Sequence, residues 1–222
     1  MTFLTTILLL ASIACNTVSS STETVDLKDL APQAGAEANA PKGEQTAIFA
    51  GGCFWGVEAV FESLKGVKDA KSGYTGGEAK SANYDAVSDG TTRHAEAVIV
   101  TYDPQQITYS QLLAVFFTVA HDPTELNRQG PDVGPQYRSA IFYTDAEQKK
   151  LAEEYIAAIE KSARFKSKVV TQVVALEKFY DAETYHQNYL VRNPKQPYIV
   201  QHDMPKLSDL KKKFPELYAG KI

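Results

Sequence analysis

From Gln45 onward the apolar residues switch repeatedly between period two and period 3.6, and that alternation constrains the fold more than any other feature of the chain. Residues 45–50 form a short strand-like run that meets Gly51 and Gly52. Val57, Val60, Phe61 and Leu64 then fall at helical spacing until Gly66 stops the helix. Residues 67–74 read as a second strand closed by Gly76 and Gly77. After the Asp89-Gly90 turn, residues 94–102 alternate, with His94, Glu96, Val98 and Val100 on one face and Ala95, Ala97 and Ile99 on the other. Thr108 and Gln111 form a capping box ahead of a helix carrying Leu112, Leu113, Phe116, Phe117 and Ala120. Residues 121–136 are a polar loop with Gly and Pro, long enough to suggest a functional role. Residues 139–143 return as a strand. A helix from Asp145, capped by Thr144 with Glu147, carries Leu151, Tyr155, Ile156 and Ile159; residues 169–176 read as a buried strand and residues 181–190 as a helix. This mixture predicts an α/β (α+β) two-layer sandwich, a mixed sheet with flanking helices, followed by an irregular C-terminal tail.

The ends are organised differently. Residues 2–14 are almost wholly apolar or small but too few to span a bilayer, so residues 1–15 read as a signal peptide. The tract Ser12-Ile13-Ala14-Cys15 resembles a bacterial lipoprotein processing site, which makes Cys15 the expected lipidation point and the new N-terminus. The competing reading of Cys15 is a signal-core residue removed by processing. Residues 16–44, rich in Ser, Thr, Ala, Asn and Pro, suit a flexible linker. Residues 45–193 are the expected globular domain. Residues 194–222 are a tail packed on it, loosened by Pro194 and Pro197 and ending in a solvated Lys211, Lys212, Lys213 face. The expected location is the periplasm or cell envelope, with membrane contact only through the lipid anchor, and a monomer is the default state.

Of 222 residues, 27 are acidic and 23 basic, with no arginine-rich stripe, so the electrostatic footprint of a nucleic-acid binder is missing. The four histidines, His94, His121, His186 and His202, are scattered without a cysteine pair, and no metal site is expected. Hydrogen bonding within the fold is the expected role of His94 and His186.

Cys53 stands out. It follows two glycines and opens a helix, where the dipole and free backbone N–H groups favour a thiolate, so its pKa is expected below the ~8.5 of a free thiol. Phe54 and Trp55, the chain's only tryptophan, adjoin it; two rings beside a sulfur suit a soft methyl-sulfur group. Either feature alone is equally at home in a core: a lone cysteine as a small hydrophobe, the rings as packing.

Taken together, Gly52-Cys53-Phe54-Trp55-Gly56-Val57-Glu58, Ser72 through Gly77, Tyr84, His94-Ala95-Glu96, His121 through Thr124, Arg128 through Asp132, Gln136 through Ile141 and Tyr185-His186-Gln187 resemble the signature of the A-class peptide methionine sulfoxide reductases, in that family's order. The single-cysteine type fits best, because no cysteine follows Cys53. The resemblance implies that Cys53 attacks the sulfur of methionine-S-sulfoxide and becomes a sulfenic acid. It implies that Glu96 supplies a proton to the oxygen, that Tyr84 and Tyr137 hydrogen-bond it, that Asp132 organises the site, and that Phe54 and Trp55 hold the substrate methyl group. It also implies no bound cofactor, an external thiol reductant such as thioredoxin, and oxidised proteins or peptides as substrates, the domain of residues 45–193 being catalytic. Where Arg93 stands the family usually has Gly. Two other readings remain open: a thiol hydrolase or acyltransferase pairing Cys53 with His186 or His94, and a non-enzymatic lipoprotein that binds peptides through an aromatic groove.

Overall fold

The computed structural model describes residues 42–220; Cys15, the apolar segment around it and most of the expected linker lie outside the described residues. Strand β1 (Gln45–Ala50) runs through the middle of a six-stranded sheet in the order β7-β6-β1-β3-β2-β8. It pairs antiparallel with β3 (Ala95–Tyr102) on one edge and with β6 (Ala140–Tyr143) on the other. Beyond β3 lie β2 (Val67–Thr75) and the edge strand β8 (Phe179–Asp181), both antiparallel to their neighbours. The pair β6 and β7 (Gln172–Ala175) is parallel, which requires a crossover, and α4 (Ala146–Lys161) supplies it.

The sheet's two faces bury different side chains. Toward the helices, Val98 and Val100 of β3 join Phe49 of β1, whose ring stacks on Phe61 of α1 (Phe54–Glu62) with centroids 4.9 Å apart. Phe49 meets Phe116, just beyond α3 (Tyr109–Val115), at the same centroid distance of 4.9 Å. Each such ring taken from water stabilises the fold by roughly 1.5–3 kcal/mol. The opposite face buries smaller groups, including Ile48, Ala50, Ala95, Ala97, Ala140 and Phe142. The alternation along β3 is therefore the one its sequence predicts. Among the described residues no helix is long and apolar enough to cross a membrane.

Four local expectations are corrected. The N-cap of α4 is Asp145, not Thr144: Asp145 is extended (φ −150, ψ 173) and its Oδ1 accepts from Gln148 N–H at 2.9 Å. The Gln148 side chain instead reaches back to the Thr144 N–H at 3.2 Å, leaving Thr144 one residue outside the helix. Residues 181–190 do not form a helix. Asn188 sits at φ 53, and only α5 (Tyr189–Arg192) completes a turn. The helical ladder is replaced there by lateral bonds: Gln187 exchanges hydrogen bonds with the Ser72 backbone, and Asn188 N–H donates to the Glu58 carboxylate. The run 169–176 yields a half-exposed edge strand, because β7 has a neighbour on one side only. Finally, the tail carries α6 (Met204–Lys213), which buries Leu207 and Leu210 and ends on buried Phe214; Pro205 lies in its first turn, where a missing N–H costs nothing. Lys211 and Lys212 are exposed, as expected.

Candidate active site

Cys53 is placed by what surrounds the two glycines before it. Gly52 has φ +92, and a Cβ there would lie 2.6 Å from Gln129 Cβ. A Cβ on Gly51 would lie 2.9 Å from the His121 ring. The loop of residues 121–136 thus packs directly over the backbone leaving β1, and no larger residue leaves it room. The chain then turns at Cys53, the N-cap residue of α1, whose side chain is 8% exposed.

Glu96 is brought to the same point by β3. Its Oε2 accepts from the Phe54 N–H at 3.0 Å, so the carboxyl takes a free donor of the first turn of α1, one residue from the sulfur. The group is 2% exposed. Burial raises its pKa to about 8, with Asp132 adding to the rise and the Phe54 N–H opposing it. At neutral pH Glu96 is therefore mostly a neutral acid with a proton to give.

Two phenols face this pair. Tyr84 opens α2 (Tyr84–Ser88), where its N–H donates to Glu183 Oε1 at 2.9 Å and Asn83 caps the helix. Tyr137 ends a short turn at residues 135–137. Burial raises both phenol pKa values, with Glu96 next and then Cys53, so both keep their protons and act as donors. Asp132 lies in a two-residue strand, β5 (Asp132–Val133), paired with β4 (Arg128–Gln129), and accepts a hydrogen bond from the Tyr198 hydroxyl. Asp132 and Cys53 line one cleft of about 370 Å³, together with Val119, Gln129, Tyr198 and Lys206. The five residues expected to be catalytic thus converge. Phe54 is buried, its ring meeting Tyr74 and His186 at 5.8 and 5.0 Å. Trp55 is half-buried, stacked on Tyr189 at 3.8 Å, with its indole N–H donating to His186 Nδ1 at 3.0 Å.

The thiol itself departs from expectation. Burial pushes the Cys53 pKa well up, and Glu96, once ionised at alkaline pH, and the Asp203 carboxylate push the same way. The Trp55 N–H and Lys206 oppose them, so the helix start is present but loses to desolvation. At neutral pH Cys53 is therefore a thiol.

Neither imidazole weighed as a base bonds Cys53. Accepting from Trp55 at Nδ1 fixes His186 with its proton on Nε2, and burial lowers its pKa. His94 Nε2 is 3.0 Å from the Glu78 carbonyl. His121 bonds the Phe116 carbonyl through Nδ1 at 2.9 Å, so its Nε2 accepts from the Ser139 hydroxyl at 2.7 Å; burial pulls its pKa to about 4. Sequence reasoning missed Tyr198, Asp203, Lys206 and Glu183. The first three follow Pro197 in a segment with no strand or helix signal of its own. Glu183, which accepts from Tyr74 OH at 2.9 Å as well as from Tyr84, sits where a helix was expected.

A buried thiol served by a neutral carboxylic acid and two phenols, with no imidazole base in contact, is suited to redox chemistry at sulfur rather than to hydrolysis. Comparison with known proteins makes the class specific. Residues 45–218 match the family model for peptide methionine sulfoxide reductase, and the chain belongs to that family. It is 53% identical over 182 residues to peptide methionine sulfoxide reductase MsrA 2 of Mesorhizobium japonicum, covering 82% of this chain and 93% of that one. Identity to the MsrA 2 protein of Synechocystis is 51% over 181 residues, covering 82% and 83% of the two chains. Among solved structures, Mxr1 of Saccharomyces cerevisiae in reduced form superposes with a TM-score of 0.66 at 35% identity, covering 70% of this chain and 89% of that one. Methionine sulfoxide reductase A of Corynebacterium diphtheriae gives 0.62 at 33% identity, with coverage of 71% and 79%. The enzyme is a peptide-methionine (S)-S-oxide reductase, and it returns methionine-S-sulfoxide to methionine.

Proposed function

We propose that Cys53, Glu96, Tyr84 and Tyr137 carry this reduction and that an external thiol closes the cycle. The sulfoxide oxygen is held by the two phenols while the Cys53 sulfur attacks the substrate sulfur. Glu96 gives its proton to the oxygen, because expelling an unprotonated oxide is prohibitively costly. The thiol's own proton replaces the one Glu96 gives up. In the adduct that results, the substrate sulfur carries both the hydroxyl and Cys53; its S–O and S–S bonds break as the hydroxyl passes to the Cys53 sulfur, leaving Cys53 as a sulfenic acid and the substrate as methionine with its sulfur reduced by two electrons. Phe54 and Trp55 hold the substrate methyl group, and Asp132 organises the site through Tyr198.

The observation that carries this reading is the buried, neutral Glu96 bonded at 3.0 Å to the backbone of the residue beside Cys53. The commitment of His186 and His94 to other partners weighs against the hydrolase alternative. No bound cofactor is needed: the reductant is a thioredoxin-like protein or small thiol, and the substrates are oxidised proteins and peptides under repair. The N-terminal segment fits export to the periplasm or cell envelope with lipid attachment at Cys15. Incubation with a methionine sulfoxide peptide and no reductant tests the core of the proposal. One equivalent of methionine and a gain of one oxygen at Cys53 are expected, and a folded Cys53→Ser protein that still turns over would refute it.

A further inference from the structure

The C-terminal segment does more than cover the domain. It leaves Pro197 and passes through a wide helical turn, Ile199–Asp203, into α6, and this end of the chain is firmly docked. Lys65 N–H donates to the Leu217 carbonyl at 2.8 Å, Ala219 N–H to the Ser63 carbonyl at 2.7 Å, and the Lys213 ammonium to the Thr118 carbonyl at 3.3 Å. Docking brings Asp203 and Lys206 onto the first turn of α1. A Cβ on Gly56 would fall 2.0 Å from Asp203 Oδ1 and 2.9 Å from Lys206 Nζ, so it is the missing side chain of Gly56 that admits the pair. Asp203 is completely buried, and among the described residues its carboxylate has no hydrogen-bond donor other than the Lys206 ammonium, 3.3 Å away. Lys206 in turn lines the cleft that holds Cys53, and among the described residues it is the only Lys or Arg to do so.

A fully buried carboxylate with one cationic partner is costly to keep unless it fixes that partner where a charge is needed. We propose that Lys206, clamped by Asp203 over the open end of α1, is a positioning residue that stabilises the Cys53 thiolate, both when the thiol attacks the sulfoxide and when it departs from a mixed disulfide. In the second case a thiol RSH converts Cys53–SOH to Cys53–S–S–R and water, and a further thiol displaces Cys53, whose sulfur leaves carrying the negative charge. The inference rests on Cys53 being the attacking group.

The charges around the sulfur show why a cation is required there. Glu96 of β3, Asp132 of β5 and Asp203 are acids, and Tyr84, Tyr137 and Tyr198 are phenols that carry no positive charge in any state. Lys206 and the Trp55 N–H are what lower the cost of the thiolate, against burial and the carboxylates.

The test measures alkylation of Cys53 by uncharged iodoacetamide across neutral and alkaline pH, a readout independent of sulfoxide turnover. Lys206→Met should slow alkylation at neutral pH about tenfold and move the profile to higher pH, one pKa unit being a tenfold change in thiolate. Lys206→Arg should restore near wild-type behaviour. Asp203→Asn, whose amide oxygen still accepts from the Lys206 ammonium and so keeps it in place, should change the rate in the opposite sense, speeding alkylation, because it removes the negative charge that opposes the thiolate. In single turnover Lys206→Met should slow sulfenic acid formation with KM for the sulfoxide little changed. Wild-type alkylation by Lys206→Met would overturn the proposal, as would equal slowing in Lys206→Met and Asp203→Asn, the signature of a purely structural clamp. If Lys206→Met fails to fold, Asp203→Asn decides alone: faster alkylation supports the proposal, and an equal or slower rate overturns it. Sulfoxide turnover by the wild type, run alongside, separates failure of Lys206 from failure of Cys53 as the site.

Discussion

Glu96 is held neutral at a cost to the fold. Its pKa of about 8 in the folded protein stands above the ordinary 4.5, so between those two values the unfolded chain releases a proton that the folded chain keeps. The contribution of Glu96 to stability is complete below the lower value and is lost progressively as pH rises toward the upper one. Glu96→Gln keeps the shape and an acceptor for the Phe54 N–H but removes both the proton and this pH-dependent loss. Two effects of opposite sign are expected. Sulfenic acid formation on Cys53 should slow by about 10²-fold or more, as measured by pre-steady-state thiol oxidation. The urea midpoint should rise at neutral pH, the gain shrinking as pH falls toward about 4.5. Oxidation of Glu96→Gln at the wild-type rate would exclude Glu96 as the proton donor.

At the scale of the element, the site depends on helix starts whose caps are settled by neighbours as much as by local sequence. The capping box of α3 is made as the pattern Thr108 to Gln111 predicts, both reciprocal bonds being present. At α4 two capping residues stand side by side, and the Gln148 side chain, which also donates to the Thr46 carbonyl at 2.7 Å, selects Asp145 by occupying the Thr144 N–H. Asp145→Ala should therefore destabilise the protein by about 1 kcal/mol in a denaturant titration, while Thr144→Ala should be close to neutral. At α1 no side chain caps the helix; its free end is given to Cys53 and, through the Phe54 N–H, to Glu96. Four residues into α1, the buried Glu58 ties it to Ser72 of β2 and to the Asn188 backbone. That tie keeps the turn before α5 beside Trp55.

For the whole molecule the decisive fact is the cysteine count. The chain has two cysteines, Cys15 and Cys53, and a C-terminal segment with none. On the proposed reading, in which Cys15 is lipidated or removed, a sulfenic acid on Cys53 is expected to find no second thiol in this sequence and to be resolved by one from outside. Treating the mature enzyme with substrate and then with a small thiol should yield, by intact mass, a mixed disulfide at Cys53. A Cys15–Cys53 disulfide in protein isolated from its host would contradict this. Export is tested separately: Cys15→Ala should move the protein from the membrane fraction to the soluble fraction of its native host, and unchanged partitioning would exclude the anchor.

Much of the fold is legible in the residues alone. The period-two and period-3.6 runs placed β1, α1, β2, β3, α3 and β6 because each buries one face against a continuous core, which forces the pattern into the sequence. Cys53 stands out by its place at a helix start beside two rings; Glu96, Tyr84, Asp132 and Tyr137 follow only from the family resemblance, and the family match over residues 45–218 agrees with that resemblance. Residues 181–190 do not form the helix their pattern suggests, since the backbone and side-chain bonds there run sideways to Glu58 and Ser72, and the tail holds a helix where an irregular segment is expected, because its wide turn Ile199–Asp203 and Pro205 interrupt the 3.6 period. The charge state of the site also escaped. A cysteine at a helix start suggests an acidic thiol, and only the packed structure reveals that burial and the neighbouring acids outweigh the helix end. Sequence alone determines which groups are able to do the chemistry, because residue identity sets which atoms can give electrons or protons. Tertiary structure decided their protonation states and brought Asp203 and Lys206 to Cys53, because desolvation and Coulomb energy depend on distances between segments some 150 residues apart in the chain.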